Sequence, residues 1–566
     1  MTKGSAPPDS DWWKSAVVYQ IYPRSFADSD GDGIGDLRGI IDHLDHLRDL
    51  GVDVVWLSPV YRSPMDDNGY DISDYRDIDP LFGTLADLDE LIAGLHDRGI
   101  KLVMDLVVNH TSDEHPWFLD SRDPSSDKRN WYWWRAPRDG RTGGEPGAEP
   151  TNWGSFFTGP GWEYDERSGE YFLHLFSRRQ PDLNWENPEV RAAVWDMMRW
   201  WVDRGIDGFR MDVINLISKT VPLADGPETP GTGLSYDPTV VTDGPRLVEF
   251  LGEMKREVLD GHDLLTVGEC VAIDVAHART YTDGDSGFLS MVFHFEHMSL
   301  DSGPGGKFDV RPLHLPDLKE NIRVWQDGLA TSGWNSLYWN NHDQPRIVSR
   351  FGDDSPDHRV TSAKTLGTVL HLLRGTPYIY QGEELGMTNQ SFADRSQFRD
   401  IESLGWYDVA VGAGLPPAVA LANVASRSRD NARTPMQWDA SPNAGFSTGD
   451  PWLPVNANHD VVNAAAAWAD ADSVLHHYRA LISLRHDLAV VREGRFDLLL
   501  PHDEHLFCFT RTWGDEVLLV LANWSSGEIP LPDGLPNLTG ASLLLGTHVD
   551  GGAVLRPWES RILRLG

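Results

Sequence analysis

From residue 17 onward the chain repeats one unit: a short apolar run of strand character, a loop, an amphipathic helix, and a glycine or turn into the next run. Strands separated in this way by helices run parallel, because each helix carries the chain back before the next strand begins. Such runs are read at 17–22, 52–57, 101–108, 208–212, 264–269, 291–295, 336–340 and 377–381. Eight of them predict an α/β chain built on a closed (β/α)8 TIM barrel. Helices at 85–97 and 190–203 each lead into Arg-Gly-Ile, at Arg98 and Arg204, where the glycine is expected to cap the helix and turn the chain into a strand.

Two stretches break that rhythm. Residues 110–184 are rich in Trp, Gly, Pro and charge and too long for a βα loop. They are expected to form a subdomain inserted after the third strand, dividing a barrel made of residues 1–109 and 185–487. Residues 488–566 alternate apolar and polar positions around a Gly514-Asp515 turn, which predicts a C-terminal antiparallel β-sandwich. A loop-rich stretch at 382–456 is expected to lie over the barrel mouth.

A net charge of −37 with no Lys/Arg run argues against a nucleic-acid partner, since phosphate binding needs a basic face. The chain start lacks the apolar stretch of a secretion signal, and no run of about 18 apolar residues follows. The expectation is a cytoplasmic protein without a membrane partner, a monomer or small homo-oligomer. Two cysteines, Cys270 and Cys508, have neither disulfide-framework nor metal-ligand spacing, and Cys270 reads as a small buried hydrophobe beside Glu269. Twenty-three Trp exceed the needs of a core, and aromatic faces stack well on sugar rings.

In such barrels the active site lies at the C-terminal ends of the strands, where Asp105, His110, Asp212, Glu269 and Asp343 would all stand. One loop carboxylate is most often a cap or turn residue. Several at one rim, beside Arg210 and His342, make a site. Glycosidic cleavage needs such a set: one carboxylate attacks or stabilises an oxocarbenium-like carbon, and another, protonated, releases the leaving oxygen. Arg210, two residues before Asp212 on the same strand face, is predicted to lower the Asp212 pKa. Glu269, crowded by Asp212 and Asp343, is predicted to titrate higher.

A separate signal is Asp28-Ser-Asp-Gly-Asp-Gly-Ile-Gly-Asp36. Asp28, Asp30, Asp32, the Ile34 carbonyl and Asp36 repeat the first part of an EF-hand loop, although Gly39 stands where the bidentate Glu would close it. Carboxylates this close repel unless a cation neutralises them, so Ca²⁺ is the expected cofactor, with no organic cofactor beside it.

Asp105-Leu-Val-Val-Asn-His110, Gly208-Phe-Arg-Met-Asp-Val213, Gly268-Glu269 and Asn341-His-Asp343 resemble the four signature regions of the α-amylase superfamily of glycoside hydrolases. Gln180-Pro-Asp-Leu-Asn184 is similar to the fifth region of its oligo-1,6-glucosidase branch, and the resemblance spans nearly the whole chain. It implies Asp212 as nucleophile, Glu269 as general acid/base, and Asp343 as the carboxylate that grips sugar hydroxyls. It further implies that His110 and His342 bind the non-reducing sugar, that Asp67 holds its terminal hydroxyls with Tyr70 stacked on the ring, and that Arg429 or Arg433 pairs with Asp67 to close the pocket. Phe157 and Phe176 would line it, and a structural Ca²⁺ would occupy the acidic loop.

For this family, Val at the position of Val213 goes with α-1,6 bonds and Thr with α-1,4 bonds. The loop Cys270-Val-Ala-Ile-Asp274 departs from the usual branch sequence at the acceptor side. The reading is therefore a retaining, exo-acting α-glucosidase that favours α-1,6 linkages in small oligosaccharides. Its rivals are a sucrose isomerase or sucrose hydrolase, a broad or α-1,4 α-glucosidase, and a trehalose-6-phosphate hydrolase. A non-catalytic amylase-like module would have lost the carboxylates that this chain keeps.

Overall fold

A computed structural model describes residues 11–284 and 287–566; the chain start read above for a leader lies largely outside them. Its centre is formed by eight parallel strands: β1 (Val18–Ile21), β2 (Val54–Leu57), β3 (Lys101–Val107), β4 (Gly208–Asp212), β5 (Leu265–Glu269), β6 (Met291–Phe293), β7 (Ser336–Leu337) and β8 (Thr376–Tyr380). They lie in the order β6-β5-β4-β3-β2-β1-β8-β7. A parallel bridge between Val292 and Asn335 joins the two ends, so the expected barrel closes.

The seventh strand is shorter than predicted. Its ladder ends at Leu337, and further on Asp343 N donates to the Asn341 side chain at 2.8 Å, an Asx turn that shapes the loop bearing Asp343. Helix α1 (Leu85–His96) starts at a Thr84/Asp87 capping box and buries Leu88, Leu91, Ile92 and Leu95 on one stripe. Burying each such side chain is worth about 1.5–3 kcal/mol. Helix α2 (Pro188–Arg204) is capped by Asn187 and ends on Gly205, whose φ of 111° only glycine adopts freely. Gly99 is also left-handed, at φ 74°, but it stands in the turn beyond α1, whose C-cap is Asp97.

Between β3 and β4 the chain forms an antiparallel three-stranded sheet of Trp134–Arg135, Glu170–Leu173 and Trp162–Asp165. Its core includes Trp133, Trp153, Trp162 and Leu173, and it packs on Val213 and Leu216 just beyond β4. The insertion thus forms one wall of the barrel mouth.

The C-terminal strands β9 (Arg495–Leu499), β10 (Leu506–Trp513), β11 (Glu516–Asn523), β12 (Ser542–Gly546) and β13 (Ser560–Arg564) make an antiparallel sheet in the order β9-β10-β11-β13-β12. Phe507, Phe509, Leu518 and Val520 on one face join the barrel core. Leu506, Cys508, Leu519 and Leu521 on the other pack with Leu555 of a two-stranded ribbon. The second layer of the predicted sandwich is therefore small.

Tryptophans set aside by composition for sugar stacking mostly pack inside: Trp56, Trp185, Trp201, Trp325, Trp334 and Trp339 are all fully buried. Both cysteines are free and buried, and burial raises their thiols, Cys508 to about 12. Among the described residues no helix is long and apolar enough to cross a membrane.

Candidate active site

Strand register sets the catalytic geometry. β3 pairs Asp105 with Arg210, and β5 pairs Val267 with Arg210 and Gly268 with Met211. Asp212 and Glu269 therefore end adjacent strands at the same level. Neighbouring strands are about 4.8 Å apart, and carboxyl pairs of retaining glycosidases are separated by about 5–5.5 Å.

Arg210 lies beneath this pair, buried, with its guanidinium 4.9 Å from the Trp56 ring centre. Its Nη1 donates to Asp105 Oδ1 at 2.6 Å and to Asp212 Oδ1 at 2.7 Å, while Nη2 pairs with Glu269 Oε2. Arg210 pulls the Asp212 pKa down as predicted, but the net shift is upward. Burial raises its pKa by more than the Arg210 charge and hydrogen bond lower it, with Asp343 adding to the rise. Arg210 thus offsets a desolvation cost, shared with Asp105, whose pKa burial lifts to about 6. The anionic crowding foreseen around Glu269 is also relieved in part, because Arg210 contacts Glu269 too.

Asp343 occupies the opposite side, 31% exposed. Arg433 Nη2 donates to its Oδ1 at 2.7 Å, Arg429 Nη1 at 3.4 Å, and His342 Nε2 stands 3.3 Å from its Oδ2. Burial pushes this carboxyl up, but His342, Arg429 and Arg433 outweigh it and hold it far below the usual range. The imidazole of His342 is itself lowered to about 3, chiefly by burial. Its ring lies stacked between Tyr22 and Tyr70, at 6.1 and 5.0 Å.

The choice left open between two arginines is resolved: Arg429 Nη2 donates to Asp67 Oδ1 at 3.1 Å, and Arg433 serves Asp343. Asp67 is buried, which raises it to about 7 against the pull of Arg429. Tyr70 donates to Asp105 at 3.2 Å and has His342 on one face. His110 is neutral, lowered to about 4 mainly by burial, with its Nε2 3.1 Å from Tyr70 O. Phe176 packs 5.2 Å from His110 and 5.6 Å from Phe157, whose ring in turn lies 5.0 Å from the Arg429 guanidinium. Arg429 thus links Asp67, Asp343 and Phe157 in one group.

Val213, directly after Asp212, has φ 36° and ψ 42°. A β-branched residue is strained there. It packs in one cluster with Trp133, Trp153, Leu216 and the partly buried Val271. The two positions singled out for linkage preference, after the nucleophile candidate and after Glu269, are therefore neighbours in one apolar wall.

In the acidic loop, Asp28, Asp30 and Asp36 each bring a carboxylate oxygen within 4.8 Å of the others; Asp32 is outside this group. Asp32 Oδ1 instead accepts from Ile34 N at 2.8 Å. Asp28 is held below its ordinary pKa although burial opposes it, because Ser447 and the amides of Gly31, Gly33 and Asp30 donate to it. The loop is docked on residues 446–452: Asp28 N reaches Phe446 O and Trp452 N reaches Gly33 O. A Cβ on Gly33 would lie 1.9 Å from Asp450 O, so this contact requires glycine.

Gln180 and Asp400 were missing from the predicted site set, whereas Asp105 was already read at the rim. Gln180 stands in the fifth signature stretch, where its Nε2 lies 3.3 Å from Asp67 and 3.2 Å from His110 Nε2. Asp400, which accepts from Arg429 Nε at 2.8 Å, sits in the loop-rich stretch with no local signal of its partner.

The model of the α-amylase catalytic domain matches residues 20–494. An oligo-1,6-glucosidase of Parageobacillus thermoglucosidasius is 54% identical, covering 98% of this chain and 99% of the relative. A trehalose-6-phosphate hydrolase structure from Bacillus licheniformis superposes with a TM-score of 0.92 at 45% identity, over 98% of this chain and 99% of that one. An isomaltulose synthase structure from Klebsiella does so with a TM-score of 0.92 at 39% identity, again over 98% and 99%. With its signature carboxylates on one rim and its whole length shared with these relatives, the chain belongs to the α-amylase catalytic-domain family.

Proposed function

We propose that the chain is a retaining, exo-acting α-glucoside hydrolase that releases glucose from the non-reducing end of short α-glucosides and favours α-1,6 linkages. The observations that carry this reading are the level placement of Asp212 and Glu269 on adjacent strands and the Asp67–Arg429 ion pair, which would close a sugar pocket at one end. A retaining mechanism needs the first, and single-glucose release needs the second.

In the first step Asp212, ionised, attacks the anomeric carbon while Glu269 gives its proton to the departing glycosidic oxygen. A glucosyl ester on Asp212 results, and the acceptor sugar leaves. Glu269, now a carboxylate, takes a proton from water, whose oxygen displaces Asp212 and restores the α-configuration. Asp343, ionised by its arginines, binds ring hydroxyls and favours the positive charge that develops at the anomeric carbon. Asp67 and Arg429 bind the terminal hydroxyls, with Tyr70, His110, His342, Phe157 and Phe176 enclosing the ring. The α-1,6 preference rests on Val213 in the apolar wall and on the names of relatives such as the one from P. thermoglucosidasius.

The donor chemistry of Asp28, Asp30 and Asp36 fits a hard divalent cation, with Asp32 and the Ile34 carbonyl as further oxygens nearby. A Ca²⁺ there would offset most of the loop's charge and act structurally.

Product analysis on isomaltose, maltose, sucrose, trehalose and trehalose 6-phosphate tests the reading. Isomaltose should give the highest kcat/KM and α-glucose should appear first by NMR. A first product of β-glucose overturns the mechanism, and a preference for trehalose 6-phosphate overturns the substrate. Lys307, a cation near Asp343, pairs with Glu402 at 2.5 Å and offers a phosphate little free charge.

A further inference from the structure

Arg429 faces two sets of carboxylates. On the pocket side it reaches Asp67 at 3.1 Å and Asp343 at 3.4 Å. Behind it Asp400 Oδ1 accepts from Nε at 2.8 Å and lies 2.7 Å from Nη2, with Glu402 3.7 Å away. Asp400 is fully buried and also caps the helix Ile401–Gly412, accepting from Glu402 N at 3.1 Å and from the Ser403 hydroxyl at 2.5 Å. Asp430, next to Arg429, accepts in turn from the amides of Arg399 and Asp400 at 2.7 and 3.0 Å. The start of that helix and the turn bearing Arg429 are thereby tied together.

We propose that Asp400 is a positioning residue of the sugar pocket: it holds Arg429 from behind, so that the guanidinium spans Asp67 and Asp343 without collapsing onto either. This rests on the glucoside-hydrolase reading above. A long arginine side chain has many rotamers to lose, and a planar fork is aimed only if its Nε edge is anchored. Without Asp400 the pocket anions would be the close partners left to a buried guanidinium. Arg429 would close on one of them and occupy lone pairs that sugar hydroxyls need. The other charges facing this group, Arg433, Lys307, Glu402 and Asp430, stay in place when Asp400 alone is changed.

The test separates charge from cap. D400N keeps a good N-cap but removes the anion, while S403A removes the hydroxyl on Asp400 Oδ2 and leaves the charge. Steady-state kinetics on isomaltose, with thermal melts, should show D400N raising KM at least fivefold with kcat within threefold of the parent. S403A should keep KM within twofold. A folded D400N with a smaller KM rise, a kcat loss exceeding the KM rise, or an equal KM rise in S403A overturns the proposal. Should D400N not fold, D400E decides: its displaced carboxylate should raise KM at least threefold, and a smaller rise overturns the proposal. A parent that releases no glucose would instead refute the underlying function.

Discussion

Arg210 Nη1 donates to Asp212 Oδ1 at 2.7 Å from two positions earlier on the same strand. This bond works against burial, which raises the Asp212 pKa overall. If Asp212 is the nucleophile, D212N should lower kcat by about 10⁴-fold or more, with the melting temperature nearly unchanged. R210K cannot serve three carboxylates from one fork. It should cost about 10²–10³-fold in kcat/KM on isomaltose, roughly 3–4 kcal/mol.

Linkage preference is predicted to follow Val213. V213T places a hydroxyl in the apolar wall shared with Val271 and Trp153. The ratio of kcat/KM for maltose over isomaltose should rise about tenfold, equivalent to about 1.4 kcal/mol of discrimination. An unchanged ratio would mean that the wall does not select the linkage.

Calcium is predicted to raise thermal stability. At a free concentration 100 times Kd, ligand linkage supplies about 2.7 kcal/mol, so a demetallated sample should melt several degrees lower than one with added Ca²⁺. Because the loop is docked on residues 446–452, downstream of Arg429 and Arg433, demetallation should also raise KM. Equal melting curves would remove the structural role.

A buried carboxyl outside the site gives a pH prediction. Glu383 accepts from Tyr478 at 2.9 Å, and burial lifts its pKa from 4.5 to about 8 despite that bond. The folded protein therefore holds a proton that the unfolded chain releases near pH 4.5. Stability from this group is full below that pH and is lost as pH rises through about 8. E383Q, which has nothing to ionise, should gain on the parent between pH 5 and pH 8 by about 2 kcal/mol or more, read from denaturant midpoints. A constant difference across that range would contradict the assignment.

Much of this was legible in the sequence because it is written locally. The strand–helix alternation gives the barrel, and carboxylates at strand ends give the rim. The rest depends on distances that sequence does not encode. Arg429 and Asp400 meet at the neck of a helical excursion, and neither flank announces the pairing. Asp212 showed its positive neighbour in the sequence but not its burial, and burial decided the sign of its pKa. The ladder leaves the seventh strand at Leu337, short of where apolar pattern alone extended it, and tryptophans counted as sugar platforms were needed inside.

Strand pairing is not equally extensive around the barrel. Asp212 and Glu269 end strands that share a continuous ladder, so their separation is fixed by backbone hydrogen bonds. Asp343 follows β7, which meets β6 through the isolated Val292–Asn335 bridge and β8 through only Ser336 and Leu337. Its place is set instead by Arg429 and Arg433. The proposed nucleophile and acid/base thus end strands tied by a continuous ladder, while the carboxylate proposed to grip the sugar follows a strand with few backbone partners. In the proposed reaction that arrangement lets the grip on the sugar yield while the ladder beneath Asp212 and Glu269 stays in register.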